Sequence, residues 1–166
     1  MMEIVADPAD VSDLELEVLL RRVYVDGGFT DAASAADTLR APRVRARGEL
    51  LVARVAEASE PAGMAIVVRP VSPGRRIARA DEAELQLLAV SPEYRGRGVG
   101  SRLVDAACER ARALGCAGLV LWTQPSMQAA QRLYFAHGFV RCAERDSELA
   151  APAGRTFLVF TKRLAQ

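Results

Sequence analysis

Histidine, lysine and cysteine are scarce in this chain of 166 residues, which has one histidine, three cysteines and, at Lys162, a single lysine. A lone His137 cannot anchor a multi-histidine metal site. Cys108, Cys116 and Cys142 have no metal-type spacing, and their odd number argues against a disulfide framework. Buried, reduced thiols of a cytosolic protein are the expectation. No local spacing signals a cysteine–histidine pair, so a cysteine nucleophile has little support unless folding brings Cys142 to His137. Long apolar runs are missing too: none approaches the ~20 residues that cross a bilayer. Met1 to Asp10 lacks the basic-then-apolar pattern of a secretory signal. A cytoplasmic protein without a membrane partner is therefore expected. Excess charge of one sign is also absent: the net charge is +1, which gives no global pull toward nucleic acid.

What remains is 51% hydrophobic and 26% charged, the composition of a globular chain with enough length for a sizeable core. The length predicts one domain over residues 1–166. The basic residues are nearly all arginine and group at positions 75–76, 95–102 and 110–112. That grouping suits local anion binding better than a DNA-binding face.

The pattern is organised around Pro92-Glu93-Tyr94-Arg95-Gly96-Arg97-Gly98-Val99-Gly100-Ser101-Arg102-Leu103. An apolar-rich stretch, Glu84 to Val90, precedes it and a helical pattern comes after it, giving strand, glycine-rich turn, helix. Unpaired N–H groups at a helix start carry partial positive charge, and glycines let a ligand approach them, so the turn is a candidate phosphate seat. It is not a P-loop, which needs Lys-Ser or Lys-Thr after its last glycine where Ser101 and Arg102 stand here. It is not the dinucleotide fingerprint either, whose third glycine falls at Ser101. Arg-x-x-Gly-x-Gly, on Arg95, Gly98 and Gly100, does fit.

The rest of the chain reads as alternating elements. Met2 to Ala6 is a candidate strand, and Asp7 to Asp10 a turn. Ser12 or Asp10 caps a helix to about Val25, closed by Gly27-Gly28. Thr30 or Asp31 caps a second helix to about Arg40, stopped near Pro42. Leu50 to Ala58 and Ala62 to Val71 form a hairpin. Residues 75–82 read as a loop. Glu84 to Val90 alternates Glu84, Gln86, Leu88 and Val90 on one face with Leu85, Leu87 and Ala89 on the other. Val99, Leu103, Val104, Ala107, Ala111 and Leu114 form one helical stripe ended by Gly115. Ala117 to Thr123 reads as a strand covered on both faces. Ser126 caps a helix from Met127 to His137. Phe139 to Arg145 and Thr156 to Lys162 are the last strands, joined by a loop, Asp146 to Gly154, that holds Pro152.

Three features in order carry a resemblance: Leu88-Ala89-Val90-Ser91-Pro92, the Arg95–Gly100 turn, and Ala130-x-x-x-Tyr134-x-x-x-Gly138-Phe139. Over about residues 84–140 the chain resembles the GNAT superfamily of N-acetyltransferases. The resemblance implies an α/β fold, the GNAT (acyl-CoA N-acyltransferase) fold, with a mixed twisted sheet flanked by helices. It implies acetyl-CoA as cosubstrate, no metal, and direct attack of a primary amine on the acetyl group. By the same likeness Arg95, Gly96, Arg97, Gly98, Val99, Gly100 and Ser101 seat the diphosphate. Leu88, Ala89 and Val90 splay from the neighbouring strand to pair with the pantetheine arm, and an N–H near Leu88 steadies the oxyanion. Ala130 lies beside the cofactor, Tyr134 is the general acid, and Glu84 stands where some members carry a base acting through water. One departure is Met127, where the family often has an asparagine bonded to the cofactor. One such bond is worth about 0.5–1.5 kcal/mol, so binding survives its loss.

Other readings stay open beside these. The chain is otherwise a CoA-binding regulatory module without turnover, or a transferase of a longer acyl group or to a hydroxyl. Tyr134 and Trp122 also read as core aromatics, Glu84 as a solvated strand end, and Arg95 and Arg97 as surface charges. Tyr24 and Phe29 either pack or line an acceptor pocket. The acidic cluster Asp81, Glu82 and Glu84 attracts an amine if it faces the cleft. Polyamine, aminoglycoside, amino acid and protein amine are all open as acceptor, as are monomer and homodimer.

Overall fold

In the computed structural model, which describes residues 1–151 and 154–165, the chain opens with the expected strand β1 (Met2–Ala6). Pro152 of the expected closing loop lies outside the described residues. Helix α1 (Asp13–Tyr24) starts at a reciprocal cap. The Glu15 N–H donates to the Ser12 hydroxyl at 3.2 Å, and the Ser12 N–H donates to the Glu15 carboxylate at 2.8 Å. Asp31 caps α2 (Ala32–Thr38), accepting from the Ser34 N–H at 2.8 Å. Pro42 does not end that helix, as its sequence position suggests. It sits in the first turn of a separate α3 (Ala41–Arg45), where a missing N–H has no intrahelical partner to lose.

Strands β2 (Glu49–Val55) and β3 (Gly63–Val68) form the expected hairpin, shortened where Glu57 turns at φ +72°. Next come β4 (Glu82–Val90), a 3-10 turn over Pro92–Tyr94, α4 (Val99–Ala113), β5 (Gly118–Thr123) and α5 (Gln128–Ala136). Ser126 does not cap α5; Met127 holds the cap position without a side-chain hydrogen bond. The strand expected from Phe139 to Arg145 is only β6 (Val140–Arg141), and a 3-10 turn over Ala143–Glu148 replaces the rest. Arg145 is the reason. Its buried guanidinium donates to the Glu82 carboxylate at 2.9 and 3.1 Å and to the Ile77 carbonyl at 2.8 Å, drawing this segment off the sheet. Strand β7 (Leu158–Arg163) closes the chain.

The sheet order is β1-β2-β3-β4-β5-β7-β6. The β4–β5 pair is parallel and the other pairs are antiparallel, so the sheet is mixed. Each face has its own core. Leu103, Val104, Ala107 and Ala111 of α4 pack on Leu51, Ala53, Ala65, Val67 and Leu85. Leu16, Leu19, Leu20 and Val23 of α1 pack on Leu50, Val52, Met64, Ile66 and Val68. Each leucine, valine, isoleucine or methionine buried this fully contributes about 1.5–3 kcal/mol, and each alanine less. A third cluster places Ile77 and Ala78 of the loop before β4 against Val120 and Val159.

Two irregularities of β4 set the shape of the sheet around its C-terminal half. Gln86 pairs with Ile66 and Ala89 with Met64, so three steps of β4 oppose two of β3. The extra residue is Leu87, at φ +52°, a bulge that inverts the alternation. Ala83 and Leu85 face α4 before it; after it Leu88 and Val90 do, while Leu87 and Ala89 turn toward the α1 side. Glu84 and Gln86 therefore do not share a face with Leu88 and Val90, contrary to simple alternation. The second irregularity is that pairing with β5 stops at Glu84–Val120. From Leu85 onward that edge of β4 pairs with no strand among the described residues.

Candidate active site

Beyond the free edge of β4, the chain turns at Gly96 (φ +72°) and Gly98 (φ +80°), conformations that L side chains rarely adopt. A side chain built at either would meet nothing within 4 Å, so both face open space. Gly98 caps α4 with no side-chain hydrogen bond, and the helix ladder begins with the Arg102 N–H donating to the Gly98 carbonyl at 3.1 Å. The N–H groups of Val99, Gly100 and Ser101 thus have no helical acceptor. An open cradle of amides at the positive end of a 15-residue helix fits a diphosphate.

A cavity of about 640 Å³ joins this loop to the free edge of β4 and the inner side of α5. It brings together Leu88, Val90, Arg95, Gly96, Gly98, Val99, Gly100, Ser101, Ala130 and Tyr134. Two residues expected at the cofactor are not on its wall: Ala89 packs on the α1 side, and Arg97 lays its guanidinium over the Tyr94 ring at 5.5 Å. Met127 lines the cavity, its sulfur accepting from the Thr123 hydroxyl at 3.2 Å. A broader concavity of about 940 Å³ between β1 and the outer side of α4 contains none of the loop glycines and no tyrosine.

Tyr134 is only 5% exposed, its ring packed on Phe139 and Phe160 at centroid distances of 5.8 and 6.1 Å. Its hydroxyl has no hydrogen-bond partner among the described residues, yet no buried side-chain oxygen there is sealed off unpaired. The hydroxyl therefore opens into the cavity. Burial pushes this phenol above its ordinary range, with a smaller contribution from Tyr24.

Glu84 does not stand where the expected base would have to stand. Its carboxylate is completely buried and accepts from the N–H groups of Arg76 (3.1 Å to each oxygen), Ile77 (2.9 Å) and Ala78 (2.9 Å), and from the Gln86 amide. It does not line the cavity. With its lone pairs engaged by the loop over residues 76–78, it is placed to anchor that loop and not to activate a water. The acidic cluster does not face the cleft either: Glu82 is bound to Arg145 and to the Arg79 N–H, and neither it nor Asp81 lines the cavity.

The other end of the cavity holds residues that sequence reasoning missed or left open. Tyr24, Phe29 and Trp122 line it, together with the unforeseen Arg47, Gln86, Gln124 and Phe157. The Tyr24 hydroxyl donates to the Leu88 carbonyl at 3.1 Å, and burial pushes that phenol up as well. The Gln124 amide donates to the Phe29 carbonyl at 2.9 Å, tying the segment after α1 to the end of β5. Desolvation, then the charge of Arg76, lowers the Arg47 guanidinium from its ordinary value. The only local signal for Arg47 was an arginine just ahead of a strand, which many solvent-facing arginines share.

The cysteines take no part in this site. Cys108 and Cys116 are buried, with thiols pushed up by desolvation. His137 pairs with Asp105 at 3.0 Å, and the Cys142 thiol donates to Glu144, so the two do not meet. Among the described residues no helix is long and apolar enough to cross a membrane.

Residues 16–139 match the family model described as "Acetyltransferase (GNAT) family". Among solved structures the chain is similar to an acetyltransferase of the GNAT family from Staphylococcus aureus Mu50, with TM-score 0.76 and 16% identity over 99% of this chain and 100% of that one. It is similar to an acetyltransferase from Streptococcus agalactiae 2603, with TM-score 0.74 and 20% identity over 98% of each chain. It is also similar to N-acetylglutamate synthase from Neisseria gonorrhoeae, solved with coenzyme A and N-acetyl-glutamate, with TM-score 0.65 and 19% identity over 100% of this chain and 36% of that one. No curated protein matches it in sequence.

Proposed function

The chain belongs to the GNAT acetyltransferase family, and from that premise we propose that it moves an acetyl group from acetyl-CoA to a primary amine by direct attack, with Tyr134 as general acid. One observation carries the reading: a single cavity joins the open loop amides, the unpaired edge of β4 and the free hydroxyl of Tyr134. Residues 1–166 act as one catalytic domain.

Bound acetyl-CoA supplies the acetyl group as an activated thioester. The N–H groups from Arg95 to Ser101 hold its diphosphate, and Arg95 adds a charge. Backbone groups of Leu88 to Val90 align the pantetheine arm as an added strand would, and an N–H near Leu88 donates to the acetyl oxygen. Ala130, small and on the cavity wall, leaves room for the arm. Tyr134 gives its proton to the departing sulfur. Burial keeps the phenol protonated, so a proton is on hand at Tyr134 when the sulfur departs. The amine reaches the thioester already neutral, since among the described residues no carboxylate lines the cavity to take a proton from it, and the proton its nitrogen sheds as the amide forms replaces the one that Tyr134 gives up.

The test is Tyr134→Phe, assayed by thiol release from acetyl-CoA with a panel of primary amines. The ring stays and the hydroxyl goes, so kcat should fall about 10²–10⁴-fold with little change in CoA affinity, the mark of an interaction made in the transition state. A wild-type rate while chemistry is rate-limiting would return Tyr134 to a packing role.

A further inference from the structure

Resting on the acetyltransferase reading, we propose that the acceptor is an apolar amino acid, whose carboxylate Arg47 holds at the far end of the cavity.

The charge lining the cavity is Arg47 and Arg95, with no aspartate or glutamate. Arg95 lies in the glycine loop, beyond the end of β4. Arg47 stands upstream, beside Gln86. It is half-buried, and its hydrogen bonds go to the Thr38 carbonyl at 2.8 Å and, weakly, to the Gln86 side-chain oxygen at 3.4 Å. No carboxylate pairs with it among the described residues. Glu84, reached through Gln86, has its oxygens engaged elsewhere. A guanidinium has five N–H donors in a planar fork, so donors remain here for a ligand. The neighbouring cation is Arg76, stacked over Trp122 at 5.9 Å. A half-buried Arg47 on this wall, paired with no carboxylate among the described residues, is completed by an anion, and a carboxylate matches the fork in two bonds.

The surroundings name the rest of the acceptor. Tyr24, Phe29, Trp122 and Phe157 are half-buried aromatics on the same wall, a surface for an apolar side chain. Tyr24 lies within electrostatic reach of both Arg47 and Tyr134 and is bonded to Leu88, so the carboxylate site and the proton donor flank it. Polyamines and aminoglycosides carry several positive charges, and here they meet arginines and no carboxylate.

The experiment compares the full chain with acetyl-CoA and L-phenylalanine, L-leucine or L-methionine against the same molecules without the carboxylate, and against spermidine. The amino acids should exceed their decarboxylated counterparts in kcat/KM by about tenfold or more. Arg47→Met should raise the amino acid KM about 10- to 100-fold, bringing that ratio toward one, and Arg47→Lys should restore part of it. Equal or faster turnover of the decarboxylated amines, or of spermidine, overturns the proposal, as does an unchanged ratio in Arg47→Met. No amino acid turnover with CoA still protecting the fold against heat overturns it and leaves the acyl-CoA reading standing. Loss of CoA protection as well overturns both. The wild-type comparison decides the matter even if Arg47→Met does not fold.

Discussion

Glu84 and Tyr134 are both buried, and they differ in what their oxygens touch. Three backbone N–H groups and an amide surround the Glu84 carboxylate, whereas the Tyr134 hydroxyl has the cavity in front of it. Glu84→Gln puts an N–H₂ where the loop amides need an acceptor, and should cost about 1–3 kcal/mol of stability, read by urea unfolding. The pH dependence of its residual activity should keep the wild-type shape. The phenol of Tyr134 is raised above its ordinary range, so the acid form persists as pH rises. Wild-type kcat/KM should therefore climb with pH as the acceptor amine loses its proton, and then level without an alkaline fall below about pH 10. An acid limb that belongs to the enzyme and vanishes in Glu84→Gln would restore the base role. The place of Tyr134 on the cavity wall was legible because Ala130, Tyr134 and Gly138-Phe139 share a helix and its exit. Glu84 misled because spacing records that it lies four residues before Leu88 and does not record the bulge at Leu87 between them.

At the scale of elements, β4 and α4 do most to build the site. Leu87 in the left-handed region, at about 1–2 kcal/mol, moves Leu88 and Val90 to the α4 side, and the early end of β5 pairing leaves their edge free. The glycine loop then delivers the chain to α4 with its first amides open. Gly98→Val should keep the domain folded at a cost of about 1–2 kcal/mol for the positive φ, while its side chain fills the diphosphate seat. Titration calorimetry should show CoA binding abolished, and unchanged affinity in a folded variant would remove the seat from this loop. Strand, turn and helix were readable because glycine spacing and the α4 stripe are local. The short β6 and the separate α3 were not, because one depends on Arg145 finding Glu82 across 63 residues and the other on which side of a boundary Pro42 falls.

For the whole molecule, the seven-stranded sheet carries α1 to α3 on one face and α4 and α5 on the other, with the cavity where β4 and β5 part. That layering was legible in the alternating pattern of elements. The Arg47 end of the cavity was not, since Arg47, Gln86, Trp122 and Phe157 come from four separate segments that only the sheet order brings together. Thermal unfolding with added ligand tests the central claim, that this cavity is built for an acyl-CoA, most directly. A ligand bound only to the folded state at a hundredfold excess over its Kd stabilises by about 2.7 kcal/mol, and Tm moves by about 2–4 °C per kcal/mol for a chain of this length. CoA should raise Tm by several degrees. ATP should raise it much less, because it offers phosphates to the loop and no arm to the free edge of β4. Equal protection by ATP, or none by CoA, would contradict it.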